Sequence, residues 1–513
     1  MCLAKETFGF EDRIVFEDWL DILLRGTYEV SLPTLNVTSG EIGTLTGSGQ
    51  ISWNADTGIR IQAVTNGGDK LTSLLFGGFG LPGHLIAHST FLTFSGRTDH
   101  AWDFTADQTP RDGHRTHTNL PDVVWDLGTS GLTLRNVSSV PLGRRLRILM
   151  GPLPPAWVRR TETEVHNEVF GGRSSQCDWL TTTCSIGRVS ARQRSDDWFE
   201  VRVEPNEGAP MREADAVCTA VARAFGFVLG RRCVIRGYEE INENRETRRL
   251  STLYPNTTKN TLLQPLGWQL EFTQNVERLL GLAINFFLTD VGERVAAYLN
   301  LCWDTADNSH LTQLTMSSIC VEGLLRVAAE TIGPTQPQVD PTDLRTFQAW
   351  INSQPAGISQ QFLNRLNGLT GMFDSLSANE MFRDWISRGV LGTTRDDLDA
   401  WRETRNPSAH GRLTAAGSRK ERQARIFRHV RVQNLLNKIV LQLMGYAGTY
   451  IDYAQPGHPS AEFPVFSPQV EVTDEETSLV SQPNPIAAQS EKLQPEPPQA
   501  QVQASNLPDR FEG

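Results

Sequence analysis

The sequence lacks the long apolar runs and the regularly spaced cysteines that mark membrane-spanning and disulfide-rich secreted proteins. Its most apolar stretch, Leu279 to Leu288, is ten residues long and contains Asn285, whereas a spanning helix needs about 20 apolar residues. The seven cysteines are scattered and odd in number, which favours reduced thiols over a disulfide framework. The segment from Met1 to Glu17 has no basic region followed by an apolar one. We therefore expect a cytoplasmic protein without a signal peptide or membrane association.

An excess of positive charge is also missing, since the 513 residues carry a formal net charge of −11. Much of this charge is local, because nine acids and two bases between Gln455 and Gly513 contribute −7 and leave −4 for the rest. The same segment holds ten prolines, a composition typical of disordered chains. We expect a disordered acidic tail over 455–513, so the net charge says little about what the folded part binds.

The remaining residues divide by hydrophobic period into a β-rich half and a helical half. Two alternating segments, 51–54 and 58–64, flank an Asp56-Thr57-Gly58 turn and predict a hairpin. Further alternating segments continue to about residue 210, and the polar stretch from Asn242 to Asn256 is interpreted as an interdomain connection. The predicted fold is α+β and multidomain: a β-rich domain over 1–255, resembling a barrel or roll, and an all-α domain over 256–454.

From Gly267 onward, apolar residues recur at three- and four-residue spacing and predict helices. The predicted segments are 268–288, 291–301, 311–332, 340–351, 360–385 and 419–450. Thr394 and the acids that follow it predict the start of another helix, which leads to the residues discussed next.

Two patterns in the β-rich half favour ordinary structure over a site. Gly78-Phe79-Gly80-Leu81-Pro82-Gly83 matches a dinucleotide-binding spelling, but no buried strand precedes it and Pro82 interrupts the expected helix, so a turn is predicted. His84, His88, His100, His114 and His117 could bind a metal, yet turn-rich neighbours favour loop histidines. We predict no metal and no cofactor, and we keep a metal hydrolase as a third functional hypothesis.

The chemistry concentrates near the end of the helix that starts at Thr394, where the sequence is Trp401-Arg402-Glu403-Thr404-Arg405-Asn406-Pro407-Ser408-Ala409-His410-Gly411. Histidine, with a pKa near 6.5, can take a proton from an RNA 2′-hydroxyl or give one to the leaving 5′-oxygen. Arginine can bind the phosphate and stabilise its developing charge, and an asparagine amide can orient either group. This chemistry needs no metal and excludes DNA, which lacks the attacking hydroxyl.

The spacing of Arg405 and His410 imposes a geometric condition on this hypothesis. Residues five apart on a continuous α-helix lie about 140° apart around its axis. Pro407 disfavours helical geometry at Asn406, so a helix break is predicted there, and the small residues after it allow a turn. One histidine cannot easily act as both acid and base, so two copies paired in a dimer are expected.

An Arg-Asn-x-x-x-His segment at the end of a penultimate helix, before a long final helix in an all-α domain, resembles the HEPN family. The resemblance implies a metal-independent endoribonuclease that acts as a homodimer or higher homo-oligomer, with Arg405, Asn406 and His410 as catalytic residues. Val321-Glu322-Gly323-Leu324-Leu325 is similar to an acidic stretch of several members, which makes Glu322 a secondary candidate. With its β-rich first half, the chain looks like the ApeA-type family of bacterial abortive-infection proteins. That resemblance implies tRNA as substrate and a phage-derived activator at the N-terminal domain.

The final helix begins with a run of basic residues, which in most proteins is only a solvated face. Here it follows His410 closely in an otherwise acidic chain, so we predict contacts with an RNA backbone. The predicted RNA-binding residues are Arg412, Arg419, Lys420, Arg422 and Arg425. Ile426 and Phe427 are assigned to the apolar side of the same helix.

The alternative is a catalytically inactive protein in which the helical domain dimerises and the β domain binds a partner. A separate alternative is that the Arg405–His410 spacing is a chance match, with Arg405 paired to Asp397 or Glu403 on a solvated helix face.

Overall fold

The structure of the chain is a computed structural model. It describes residues 18–40, 43–66, 92–109, 117–119, 122–139, 141–152, 179–195, 197–208, 212–251, 261–267, 273–332, 340–373, 377–409 and 418–464.

The N-terminal half of the protein contains one antiparallel sheet of fourteen strands. Alternating buried and exposed residues, as in β3, explain why these segments form strands with one face on a core. The strands are β1 Thr27–Ser39, β2 Gly43–Asn54, β3 Gly58–Asn66, β4 Leu92–Arg97, β5 Asp103–Thr109, β6 His117–Asn119, β7 Asp122–Thr129, β8 Gly131–Val137, β9 Arg144–Gly151, β10 Trp179–Cys184, β11 Gly187–Gln193, β12 Phe199–Glu204, β13 Val234–Asn242 and β14 Arg245–Ser251.

The strand order is β10-β11-β12-β9-β13-β14-β8-β5-β4-β1-β2-β3-β7-β6. The predicted hairpin is confirmed, since β2 and β3 pair from Gly47–Thr65 to Asn54–Gly58. The described pairing leaves β10 and β6 as end strands, so closure into a barrel or roll stays a prediction. Helices α1, Trp19–Arg25, and α2, Ala214–Leu229, pack on the sheet, and the later helix Thr273–Phe287 packs on β10.

Strand β14 corrects the interpretation of residues 242–256 as a connection. Residues Arg245 to Ser251 form an inner strand that pairs with β13 on one side and β8 on the other. The sequence pattern missed it because only Leu250 of this strand is fully buried and its other side chains are polar.

The C-terminal half is helical, as the change of hydrophobic period predicts. Its helices are α3 Thr273–Phe287, α4 Asp290–Asp304, α5 His310–Ile332, α6 Pro341–Asn352, α7 Gln360–Phe373, α8 Ala378–Ser387, α9 Arg395–Ala409 and α10 Arg419–Leu443. The single helix predicted over 360–385 is two helices, because Ser377 starts α8 with a capping box that includes Glu380. None of the described helices is long and apolar enough to cross a membrane.

One hydrophobic core has members on both sides of residue 255. It joins β9, β11 and β12 of the sheet to α2 and to the C-terminal helices, and includes Phe199, Phe225, Leu324 and Trp401. A second core is formed by buried side chains of α1, β1 to β5, β7 and β8, together with Leu149 and Leu250. The domain boundaries stay predictions, but the β-rich and helical halves share buried side chains.

Ordered structure extends into the segment predicted as a tail. Strands β15, Thr449–Ile451, and β16, Ser460–Glu462, form a hairpin. Phe463 is 5% exposed and its ring lies edge-on to Tyr450, with centroids 5.5 Å apart. The predicted disorder over 455–513 is therefore wrong for its first ten residues, where a buried aromatic residue outweighs the proline-rich composition. Residues 465–513 lie outside the described part.

Candidate functional site

Helix α9 carries the candidate motif and begins as its sequence predicts. The Thr394 backbone N–H donates to Asp397 Oδ2 at 3.0 Å, and the Asp397 N–H donates back to Thr394 Oγ1 at 3.4 Å. This reciprocal bonding resembles a capping box and places acidic side chains at the positive end of the helix dipole.

The predicted helix break at Asn406 is wrong, because α9 remains helical through Pro407 to Ala409. Pro407 lies in the last turn, where its missing N–H removes only one hydrogen bond of the helix. Helix α9 also packs on α5. The indole of Trp401 is 2% exposed and donates to the carbonyl of Ser318 on α5 at 3.0 Å.

The structure brings together two of the predicted site residues, Arg405 on α9 and Glu322 on α5. Arg405 Nε donates to Glu322 Oε2 at 2.9 Å and Nη2 donates to Oε1 at 3.3 Å. The arginine side chain is 37% exposed and the glutamate side chain 23% exposed. Arg326, one turn along α5, lies 3.7 Å from the same carboxylate. The site is a half-buried, two-point ion pair at the surface between two packed helices.

The carboxylates that could have paired with Arg405 on its own helix have other partners. Asp397 binds Arg431 Nη1 at 3.0 Å, and Glu403 binds Arg428 Nε at 2.7 Å. Both arginines belong to α10. The solvated-face pairing considered from the sequence is therefore wrong in its partners, and α9 is joined to α5 on one side and to α10 on the other.

The remaining catalytic candidates are only partly described. The backbone of Asn406 belongs to α9, whereas its side chain lies outside the described part. His410 and Arg412 fall in the undescribed stretch 410–417 between α9 and α10. Their roles stay predictions that rest on sequence position alone.

The first residues of α10, which follow the end of α9 by ten positions in the sequence, include exposed cations. Arg419, Lys420 and Arg422 are exposed, and Arg425 is half-buried. Ser418 and Glu421 form a capping box, with the Ser418 N–H donating to Glu421 Oε2 at 2.8 Å. The three exposed cations stand at the positive end of the helix dipole, where positive charge is unfavourable. Their placement therefore does not stabilise the helix.

Ile426 and Phe427, assigned to the apolar side of α10, are not buried. They are 43% and 59% exposed, and the buried face of α10 begins only at His429 and Val432. Amphipathic spacing shows which side of a helix is apolar but not where the neighbouring helices end. Phe427 is thus an exposed aromatic residue among cations. The sequence pattern did not predict its exposure.

Two histidines of the helical half, neither of them considered as site residues, contact each other. His429 on α10 and His310 at the start of α5 have ring centroids 6.0 Å apart, and His429 Nε2 lies 2.8 Å from Gln433 Nε2. Burial, with a smaller contribution from His310, lowers the pKa of His429 to about 4. His429 is therefore neutral near pH 7 and is a poor proton donor there.

The metal-site hypothesis gains nothing from the described residues. Across the described ranges, no three His, Cys, Asp or Glu side chains are grouped so that they could hold a metal ion. His84, His88, His114 and the glycine pattern 78–83 lie outside those ranges. His100 is exposed and lies 3.7 Å from Asp99.

Comparisons of the chain with protein-family models, curated proteins and solved structures give no match.

Proposed function

We propose that the protein is a metal-independent endoribonuclease of the HEPN type that cleaves RNA by attack of the 2′-hydroxyl on the adjacent phosphate. In this proposal His410 transfers the proton, Arg405 stabilises charge on the phosphate, and Asn406 orients the reacting groups. The proposal includes no cofactor.

The observation that carries the proposal is the two-point contact between Arg405 and Glu322. It uses Nε and Nη2 of the guanidinium, so no described hydrogen bond engages Nη1. A planar guanidinium has five N–H donors in fixed directions. Glu322 can therefore hold the guanidinium in place through Nε and Nη2, while Nη1 binds a phosphate oxygen. Glu322 acts in this arrangement as a positioning residue.

The first turns of α10 support RNA as the substrate. Arg419, Lys420, Arg422 and Arg425 supply phosphate-binding charge, and Arg412 joins them by sequence position. Phe427 adds an exposed ring on which a base can stack, a contact worth about 1–3 kcal/mol in single-strand binders. Binding of an RNA backbone would explain why these cations stand at the end of the helix dipole where positive charge is unfavourable.

The unit of function in this proposal is a homodimer or higher homo-oligomer formed by the helical half. Because α9 continues to Ala409, Arg405 and His410 of one copy converge only if the chain turns after that residue; pairing of two copies removes this requirement. We further propose an antiphage, abortive-infection role in the bacterial cytoplasm, with tRNA as substrate and the β-rich half, as a barrel or roll, sensing a phage-derived activator.

The direct test is RNA cleavage by the purified protein with EDTA present. We expect products that end in a 2′,3′-cyclic phosphate, and we expect His410→Ala to abolish both cleavage and the growth arrest that follows activation in cells. His310→Ala is the matched control, since His310 is an exposed histidine of the same half. Cleavage that persists in His410→Ala would show that the proposed chemistry is wrong.

A second candidate function is a non-catalytic interaction protein, and one observation favours it. The Arg405 guanidinium already has a carboxylate partner, as expected of an arginine that only joins α9 to α5. Intact RNA at high concentrations of the wild-type protein, together with dimers in sedimentation experiments, would support this candidate.

A further inference from the structure

A polar cleft of about 580 Å³ lies on the sheet, far along the chain from the motif in α9. Its floor is formed by β5, β8, β13 and β14, and the first residues of α2 line one side. This volume lies within the range of about 300–1,000 Å³ that is typical of small-molecule sites. Most such sites are apolar, whereas charged side chains dominate this one.

The strand register fixes which side chains share the floor of the cleft. Glu240 on β13 pairs with Thr247 on β14, Thr247 pairs with Arg135 on β8, and Arg135 pairs with Asp103 on β5. Residues paired directly across neighbouring strands point to the same face of a sheet. Arg245, two residues from Thr247, occupies a position on that face that is diagonal both to Arg135 and to Glu240.

Two arginines of this face, Arg135 and Arg245, form no ion pair with a described carboxylate. Arg135 and Arg245 are both exposed at the cleft. Among the described residues, no carboxylate lies within 4.0 Å of either guanidinium, although Asp103 neighbours Arg135 in the register. Like charges on diagonal positions of adjacent strands repel each other. A bound anionic group would relieve this repulsion.

The residues at the two ends of the row, Glu240 and Asp103, are acidic. The carboxylate of Glu240 accepts no hydrogen bond from the described residues, whereas Asp215 on α2 already binds Arg249 Nη1 at 2.8 Å. Burial, reinforced by Asp215, raises the pKa of Glu240, and only Arg135 opposes the shift. A cationic nitrogen next to Glu240 would satisfy this carboxylate.

We propose that the cleft binds a short free peptide of about three residues, with its terminal carboxylate at Arg135 and Arg245 and its terminal ammonium at Glu240. Glu240 and Arg135 lie two strand spacings apart, about 10 Å. Three extended residues span about the same distance. Thr247 lies between the charged ends, where its hydroxyl can bond to the main chain of the peptide. This site is independent of the proposed ribonuclease chemistry.

Titration calorimetry on the full chain tests the proposal with triglycine as the probe. We expect saturable binding of triglycine and binding at least about tenfold weaker for N-acetyltriglycine and for triglycine amide, each of which lacks one charge. Free glycine tests whether length matters, and AMP and spermidine test for a purely anionic or purely cationic ligand. Arg135→Gln and Glu240→Gln should each weaken triglycine binding by about tenfold or more.

Arg188→Gln is the matched control, because Arg188 is an exposed arginine of the same sheet on β11, outside the cleft. Thermal unfolding of each variant verifies that it is folded. The proposal is overturned if triglycine fails to bind at millimolar concentration, or if the acetylated or amidated peptide binds as well as triglycine. It is also overturned if glycine, AMP or spermidine binds more tightly, or if Arg135→Gln and Glu240→Gln bind like Arg188→Gln.

Discussion

The substitution Arg405→Lys separates a catalytic arginine from one that only joins two helices. Lysine keeps the positive charge but replaces the two parallel donors, which reach Glu322 at 2.9 and 3.3 Å, by a single ammonium. Exposed ion pairs contribute about 0.2–1 kcal/mol and hydrogen bonds to charged groups about 1.5–3 kcal/mol. Because the two side chains are 37% and 23% exposed, we expect a loss of about 1 kcal/mol in the free energy of unfolding.

The expected effect on catalysis is larger than the effect on stability. Loss of one group that stabilises transition-state charge lowers kcat by about 10²–10³, or about 3–4 kcal/mol. A domain stable by about 5–15 kcal/mol stays almost fully folded after losing 1 kcal/mol. Unfolding therefore cannot account for such a loss of cleavage, and the difference between the two energies identifies the role of Arg405.

The chain offers a matched control in Arg428→Lys. Arg428 forms an ion pair with Glu403 through its Nε at 2.7 Å, and its side chain is 36% exposed. This contact joins α9 to α10 much as Arg405 joins α9 to α5. We expect Arg428→Lys to cost a similar free energy of unfolding while leaving the cleavage rate within a few-fold of the wild type.

The assays are urea unfolding followed by circular dichroism and single-turnover cleavage of a labelled RNA in EDTA. If Arg405→Lys and Arg428→Lys lose equal amounts of both stability and activity, Arg405 is a structural residue and the catalytic assignment fails. If neither variant changes cleavage, the reaction does not use this face of α9.

Three further predictions concern pH, salt and the C-terminal hairpin. The pKa of His429 is about 4 in the folded protein and about 6.5 when unfolded, so the unfolded chain binds the proton more readily. The free energy of unfolding should therefore fall by up to about 3 kcal/mol as the pH drops from 6.5 toward 4. In urea unfolding experiments, His429→Gln should show a smaller fall than the wild type. Identical dependence of the unfolding free energy on pH in the two proteins would contradict this. Arg422→Gln should reduce the slope of log K against log salt for single-stranded RNA by about 0.7, measured by fluorescence anisotropy; an unchanged slope means that Arg422 contacts no phosphate. Phe463→Ala should lower the free energy of unfolding by about 3 kcal/mol, whereas the exposed Phe427→Ala should not, and equal effects would argue against the hairpin packing.

The order of the folded segments was largely predictable from hydrophobic period. Helices such as α5 and α6 were predicted to within about a turn, because each buries one apolar stripe. Strand β14 was missed for a physical reason: one of its faces lines the polar cleft, and on the other Arg248 packs over the rings of Trp19 and Trp102. A strand with polar groups on both faces has no hydrophobic alternation to detect.

The candidate site was predictable in its residue types but not in its contacts. Arg405 and Glu322 are 83 positions apart, and only the packing of α9 on α5 makes them partners. The helix through Pro407 shows the same limitation. Local preference predicts a break, but the helix continues to Ala409.

The arginines of α10 fall into two groups: those that form ion pairs with α9 and those that are exposed near the start of the helix. Arg428 and Arg431, in the middle of the helix, meet carboxylates of α9, so their charge is balanced within the fold. Arg419 and Arg422, each nine residues earlier, stand exposed near the positive end of the helix dipole. Each helix also has acids in its first turn, Asp396 and Asp397 in α9 and Glu421 in α10. The salt dependence of RNA binding by Arg422→Gln therefore tests whether the exposed cations of α10 bind the RNA that we propose.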